Sequence, residues 1–260
     1  MPLKNILITG TGSGLGHSLN TILGGDSYCR IKGPQFYQSN NYDAIIHCAV
    51  NTQSVLSHNS IDEFFQSNLN LLHQIRSIPH QHFIYISSID VYPKETRKCH
   101  EEVSINANDI FGAYGIMKFY AEAIVKQYCN RPLILRPSAL LGPSMRPNSL
   151  VKILSGKTIK LGLNEKSSFN YIRHRDIADF IRKSIQYQTE GIYNLCSTTN
   201  ITLEEITNHF SQKIEFGEFT YATPKLDNSK MASLKYIKPV SSLQTVVSFW
   251  DDYHTDFSDK

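Results

Sequence analysis

The chain has no apolar run approaching the ~20 residues that span a bilayer. Its longest apolar stretches, such as Ile6-Leu7-Ile8 and Ala44-Ile45-Ile46, are the length of short strands. It has no block of five or six like charges, and the net charge of +3 is spread over 260 residues. That pattern argues against nucleic acid or a membrane surface as a partner. At the N-terminus one lysine precedes a short apolar strand and then glycines, without the apolar segment and cleavage site of a secretory signal, so the cytoplasm is the expected compartment. Five cysteines (Cys29, Cys48, Cys99, Cys129, Cys196) include no Cys-x-x-Cys pair. Neither a disulfide framework nor a metal site is therefore expected. Internal repeats and low-complexity tracts are missing as well. What remains is 41% hydrophobic and 19% charged, the composition of one large folded unit or of a nucleotide-binding domain with a small cap.

Hydrophobic spacing predicts alternating elements. Residues 4–9 read as a buried strand, His17 to Leu23 as a helix, Ser27 to Ile31 and Asp43 to Ala49 as strands. Ile61 to Ser77 follows as a helix with apolar Phe64, Phe65, Leu69, Leu72 and Ile75, then His82 to Ser87 as a strand, Tyr114 to Tyr128 as a helix and Leu133 to Leu135 as a strand. Repeated βαβ units predict an α/β fold, a doubly wound parallel sheet of the Rossmann type. Only about ten residues, Lys32 to Asn41, separate the second and third strands, too few for a helix and its connections, so one unit is truncated. After Arg136-Pro137 the pattern loosens into Gly-, Pro-, Ser- and Asn-rich stretches with short helices near Asp176 to Tyr187 and Leu203 to Ser211, which is where a substrate cap would sit. The expected division is 1–138 plus roughly 170–190 for the dinucleotide-binding domain, and 139–169 with 191–260 for a smaller substrate-binding region.

Thr9-Gly10-Thr11-Gly12-Ser13-Gly14-Leu15-Gly16 lies between a strand and a helix. There backbone N–H groups and the helix N-terminus can receive a pyrophosphate that larger side chains would block. The Gly-Lys-Ser/Thr ending of a P-loop is absent, which disfavours kinase or ATPase chemistry and leaves a dinucleotide as the better guest. Many such folds end the second strand in an acidic residue that holds the ribose 2′-hydroxyl. Here Cys29-Arg30-Ile31-Lys32 offers only positive charge, which favours a 2′-phosphate and hence NADP(H), with NAD(H) the alternative.

Tyr-x-x-x-Lys occurs three times, at Tyr28/Lys32, Tyr114/Lys118 and Tyr221/Lys225. Residues four apart share a helix face, so an ammonium there favours the phenolate; only Tyr114 opens a convincing helix. Upstream, Phe83 to Ser88 ends a strand in two hydroxyls, and ligands of open α/β sheets bind at the carboxyl ends of strands. Ser88 can then hydrogen-bond a substrate carbonyl beside the Tyr114 phenol.

Thr-Gly-x-x-x-Gly-x-Gly at Thr9 to Gly16, Ser-Ser-x-x-Val-Tyr at Ser87 to Tyr92 and Tyr-Gly-x-x-Lys at Tyr114 to Lys118 together resemble the extended short-chain dehydrogenase/reductase family. Asp43 to Ala49 is similar to its fourth-strand cofactor segment, with Val50 following. Asn68 sits at the family's helix asparagine, Leu135 to Pro143 resembles its entry into the substrate domain, Tyr171 to Asp179 the return, and Asp227 to Lys230 a C-terminal signature of nucleotide-sugar members. The resemblance implies that Tyr114 is the general acid/base, that Lys118 lowers its pKa and holds the nicotinamide ribose, and that Ser88 positions the substrate oxygen. It implies cofactor contacts from Gly10, Ser13, Gly14, Leu15, Gly16, Arg30, Ala49, Val50, Tyr114, Lys118 and Pro137. Substrate contacts fall to Ser88, Asp90 and Arg173, and a homodimer built on two long helices is implied.

Ser13 replaces the extended family's middle glycine, Ala139 an asparagine that holds the substrate phosphate, and Phe169 an arginine near the diphosphate; Arg146, Arg173 and Arg175 are candidate replacements. Ile89-Asp90 supplies one carboxylate where dehydratases have two. Dehydration is thereby disfavoured, and the positive Arg30 with the missing asparagine at Ala139 favours an NADPH-dependent reductase of a 4-keto-6-deoxy nucleotide sugar. A nucleotide-sugar 4-epimerase retaining NAD(P) is the alternative, and a non-catalytic NADP-sensing or scaffold protein is an alternative of another class.

Overall fold

The computed structural model describes residues 5–51, 60–94, 98–145, 148–155 and 159–258. Its centre is a six-stranded, all-parallel sheet. The strands are β1 (Ile6–Thr9), β2 (Asp26–Ser27), β3 (Tyr42–His47), β4 (His80–Ile86), β5 (Pro132–Pro137) and, later in the chain, Gly191–Leu195. Counting the short strands between them, β6 (Ala139–Leu141), β7 (Ile159–Lys160), β8 (Ser168–Phe169) and β9 (Tyr171–Arg173), the last is β10. The sheet order is β2-β1-β3-β4-β5-β10. The chain leaves β1 toward one edge and returns on its other side at β3, and that reversal opens a crevice at the carboxyl ends of these strands.

Both sheet faces are covered, as parallel strands require. Ile6, Ile8, Ala44, Ile46, Ile84, Ile86, Leu133 and Leu135 face α1 (Gly14–Leu23) and α5 (His174–Tyr187), whose Leu19, Ile177 and Ile181 complete that layer. The alternate residues Leu7, Ile45, Phe83, Tyr85 and Ile134 face α2 (Ile61–Arg76) and α3 (Gly112–Tyr128), meeting Leu72, Ile75 and Val125. The predicted doubly wound fold is the one observed.

The second strand is shorter than the predicted Ser27 to Ile31. After Ser27 the chain turns, with Lys32 N–H bonded to the Cys29 carbonyl and Gly33 N–H to that of Arg30. Between β2 and β3 stands only a 3-10 turn at Pro34–Tyr37. The predicted truncation is thus real. Tyr28, Tyr37 and Tyr42 fill the layer there.

A second core joins Leu141, Leu150, Ile153, Tyr171, Leu203 and Phe249. It is built by α4 (Ser149–Leu154), α6 (Leu203–His209) and α8 (Ser242–Ser258), α7 (Ser229–Ser233) lying apart against the sheet, with the small pairs β6/β9, β8 with β11 (Ile201–Thr202), and β7 with β12 (Ile214–Glu215). Two stretches of the expected smaller region 191–260 belong with the main sheet instead: Gly191–Leu195 pairs in register with Leu133–Pro137 as its edge, and Met231 of α7 packs into the core on one of its faces.

Candidate functional site

A cavity of about 730 Å³ opens at the carboxyl ends of β1, β3, β4 and β5. One wall is the glycine turn. Gly10 has φ +74°, and a Cβ there would come within 2.8 Å of the Ala49 backbone nitrogen; at Gly16 it would meet the Gly10 carbonyl oxygen at 2.3 Å. Both positions need glycine so that α1 can close on β1 and β3. Ser13 at the head of α1 has φ −165°, extended backbone open to any residue, so a serine there costs the turn nothing. The turn is braced from beneath: the Thr9 hydroxyl accepts from Cys48 N–H (3.1 Å) and Ala49 N–H (2.9 Å) and gives its own proton to His47 Nδ1 (2.9 Å). His47 is held neutral, burial chiefly, with Lys118 and Arg30 adding, pulling it down to about 3.

The opposite wall carries the hydroxyl and amine groups. Ser88 follows β4 and caps the 3-10 turn Ile89–Val91. Its Oγ accepts from Asp90 N–H (3.1 Å) and donates to Asp90 Oδ2 (2.9 Å). Tyr114 and Lys118 lie on α3, which approaches this turn so closely that a Cβ on Gly115 would fall 2.3 Å from the Asp90 carbonyl oxygen. The Lys118 ammonium is 2% exposed and donates to the Ile86 carbonyl at 2.7 Å, 5.8 Å from the centre of the Tyr114 ring. Burial pulls it from its usual 10.5 to about 8, with Cys48 and the Glu122 carboxylate opposing.

The cavity brings together Gly10, Ser13, Gly14, Leu15, Gly16, Arg30, Ala49, Val50, Ser88, Tyr114, Lys118 and Pro137. Of the other two Tyr-x-x-x-Lys pairs, neither lies on a helix. Asp90 and Arg173 do not line the cavity. Asp90 is exposed behind Ser88, and Arg173 is held by Asp176 through two bonds of 2.9 Å and by Asp252 at 3.4 Å. Arg175 is exposed on the first turn of α5, and Arg146 lies outside the described residues. Asn68 stays out of the cavity too, where it grips the backbone of Asn51 (N–H to Oδ1, 2.8 Å) and so fixes the segment after β3.

Sequence reasoning missed Tyr28 and His174. The Tyr28 phenol lines the cavity, buried and without a hydrogen-bond partner. His174 Nδ1 meets Ser18 Oγ at 2.7 Å, and burial lowers the ring to about 4. No motif or spacing marks either residue: the Tyr28 ring is set by packing on Tyr37, and His174 is held by Ser18, 156 residues earlier in the chain.

A Rossmann sheet with this crevice, glycine turn and Ser/Tyr/Lys wall defines a member of the short-chain dehydrogenase/reductase class. Within it, the chain belongs to the NAD dependent epimerase/dehydratase family, whose model matches residues 26–196. No curated protein matches the sequence. Among solved structures, the chain is similar to RMD from Pseudomonas aeruginosa complexed with NADPH (TM-score 0.74, 18% identity, 96% of this chain and 99% of that one). It is also similar to dTDP-4-dehydrorhamnose reductase from Bacillus anthracis in complex with NADP (0.77, 19%, 96% and 99%). A third likeness is to UDP-glucuronic acid 4-epimerase from Bacillus cereus with UDP-glucuronic acid and NAD (0.76, 16%, 97% and 99%). No helix among the described residues is long and apolar enough to cross a membrane.

Proposed function

We propose that the chain is an NADPH-dependent oxidoreductase that reduces a 4-keto-6-deoxy nucleotide sugar. The observation that carries the reading is the meeting of Ser88, Tyr114 and Lys118 with the glycine turn and Arg30 around one cavity. The residues present fit a dinucleotide. The turn has two glycines, Gly12 and Gly14, where a Cβ would meet nothing within 4 Å of the protein, leaving room for a pyrophosphate against the α1 N-terminus. Arg30 supplies a cation for a 2′-phosphate, and the orphaned Tyr28 hydroxyl offers a polar contact. When bound, the nicotinamide supplies the hydride.

The chain's own groups handle the proton and the orientation. Tyr114 gives a proton to the substrate oxygen, Lys118 stabilises the resulting phenolate by charge, and Ser88 orients that oxygen. The chemistry is reversible, so the same trio serves alcohol oxidation. Support for the reductase over an epimerase comes from Arg30 and from Ala139 in the cavity wall, which offers no polar grip to a phosphate. Structures similar to this chain include proteins named as reductases with NADPH or NADP, and they support the same reading.

Purified protein should consume NADPH when given a 4-keto-6-deoxy nucleotide sugar, read as loss of the reduced-nicotinamide absorbance. Tyr114→Phe should lower the rate by about 10²- to 10⁴-fold. No NADPH oxidation with any such sugar would sink the proposal; NAD released on denaturing the isolated protein would favour the epimerase. A homodimer across α2 and α3 is proposed on the exposed Tyr120 and Tyr128, and light scattering tests it.

A further inference from the structure

Behind the cavity lies a buried ion pair that the chemistry above leaves unused. Glu122 is 1% exposed and Arg136 2%. The Arg136 guanidinium donates through Nε (2.9 Å) and Nη2 (2.6 Å) to the two carboxylate oxygens, and through Nη1 to the Tyr92 phenol oxygen (2.9 Å). The Ser87 hydroxyl donates to Glu122 Oε1 at 2.6 Å. Tyr92 passes its own proton to Asn194 Oδ1 (2.8 Å), whose amide nitrogen donates to the carbonyls of Cys99 and Asp227.

Stability alone is a poor reason for such a pair, since apolar side chains of the same volume often replace a buried ion pair without loss. Its position gives a better one. Glu122 lies four residues after Lys118, on the same face of α3. Lys118 bonds the Ile86 carbonyl and Glu122 bonds the Ser87 hydroxyl, so two consecutive residues at the end of β4 are tied to that face immediately before Ser88. Arg136 braces the carboxylate from β5.

We infer that Glu122 is a positioning residue, whose carboxylate fixes the end of β4 that carries Ser88 against the helix that carries Tyr114 and Lys118. The inference rests on the roles proposed for those three residues. Glu122 also acts on Lys118 by charge. The groups facing that ammonium are His47 and Cys48 from the end of β3, Tyr85 from β4, and Tyr114 and Glu122 from α3 itself. Glu122 is the carboxylate among them.

The test uses a charge-free double variant, Glu122→Leu with Arg136→Met, which leaves no orphaned charge in the core, and the milder Ser87→Ala. For each, thermal unfolding, kcat and KM with NADPH, and the titration of the Tyr114 phenolate are measured. The phenolate is read as an ultraviolet difference spectrum against Tyr114→Phe. The double variant is expected to unfold near the wild-type temperature, yet to lose roughly 10- to 100-fold in kcat with KM for NADPH little changed, because a displacement of about 1 Å is costly to reacting geometry. Its phenolate should titrate at higher pH as the Lys118 charge is weakened. Ser87→Ala should move both readouts in the same direction by less, about threefold in kcat for one lost hydrogen bond. A folded double variant with wild-type kcat and an unshifted phenolate overturns the inference. If the double variant does not fold, unchanged readouts in Ser87→Ala overturn it. Should the wild type reduce no keto sugar while the variants still shift the phenolate, the proposed reaction fails and the positioning role stands.

Discussion

Gly12→Ala separates folding from cofactor binding. An added Cβ at Gly12 would meet no atom of the protein within 4 Å, and the backbone there is not left-handed. The folded protein should therefore tolerate alanine, with the loss of unfolded-chain freedom adding about 0.4–1 kcal/mol of stability. A chain of this size converts each kcal/mol into about 2–4 °C of Tm, so the expected change is a small rise. A pyrophosphate on the turn would occupy the space the methyl takes. Overpacking of that kind costs about 1–3 kcal/mol, which is roughly 5- to 150-fold in Kd. Gly16→Ala is the contrasting variant. Its Cβ would lie 2.3 Å and 2.7 Å from the Gly10 carbonyl oxygen and carbon, so α1 must move off β1, and both Tm and affinity should fall. Circular dichroism gives Tm, and calorimetric titration with NADPH gives Kd. NADPH binding to Gly12→Ala at the wild-type Kd would refute the placement of the phosphates on this turn, and a loss of several degrees would refute the open space.

Three further outcomes are expected. Arg30→Ala should weaken NADPH by about 1.5–3 kcal/mol for a lost charge-assisted contact and leave NADH nearly unaffected; an unchanged NADPH/NADH ratio of kcat/KM would remove Arg30 from the 2′-phosphate. His82 is 4% exposed, and burial chiefly lowers it to about 4. Its unfolded form protonates near 6.5, so the stability it allows is full above that pH and falls as pH drops from about 6.5 toward 4, by about 2 kcal/mol between pH 7 and pH 5. Urea unfolding of His82→Leu should show a flatter acid limb, and an equally steep one would exonerate this ring. Finally, Asp90 takes the Ser88 proton at 2.9 Å from an exposed position, so Asp90→Ala should free that proton for a substrate carbonyl and raise kcat/KM for reduction by about 2- to 10-fold. A fall instead would mean that Asp90 itself holds the substrate.

The parts of the molecule that were readable in the sequence are those whose meaning is local. The glycine turn carries its own flanking strand and helix. Tyr114 and Lys118 are joined by one helical turn, and strand residues such as Ile6, Leu7 and Ile8 alternate between the two faces of the sheet in the way a doubly covered strand must. Arg173 shows the opposite case. Its charge satisfies Asp176 one turn on and Asp252 far along the chain, a partner that no local pattern names. Gly191–Leu195 is a strand only because Leu133–Pro137 offers it an edge. Helix α8 is different again, since Leu243, Val246, Phe249, Trp250 and Tyr253 repeat at helical spacing, a local signal for the helix that the sequence does carry.

The contacts around α1 tie the glycine turn to the cap. The Gly14 N–H, which heads α1 and faces the place proposed for the phosphates, donates to the Ser144 carbonyl at 3.2 Å. One turn further along, Ser18 reaches both the Pro143 carbonyl (3.4 Å) and His174 at the head of α5 (2.7 Å). The segment that leads from the main sheet into the second core thus rests on the same helix end that would receive an anion. An anion drawn to that end competes with the Ser144 carbonyl for the Gly14 amide, whereas the Ser18 contacts are untouched by it. Cofactor binding would then loosen one of the two holds on the entry segment and keep the other, so that Pro143 stays registered on α1 through Ser18 while Ser144 and Met145 are free to readjust over the cavity that Met145 helps to line.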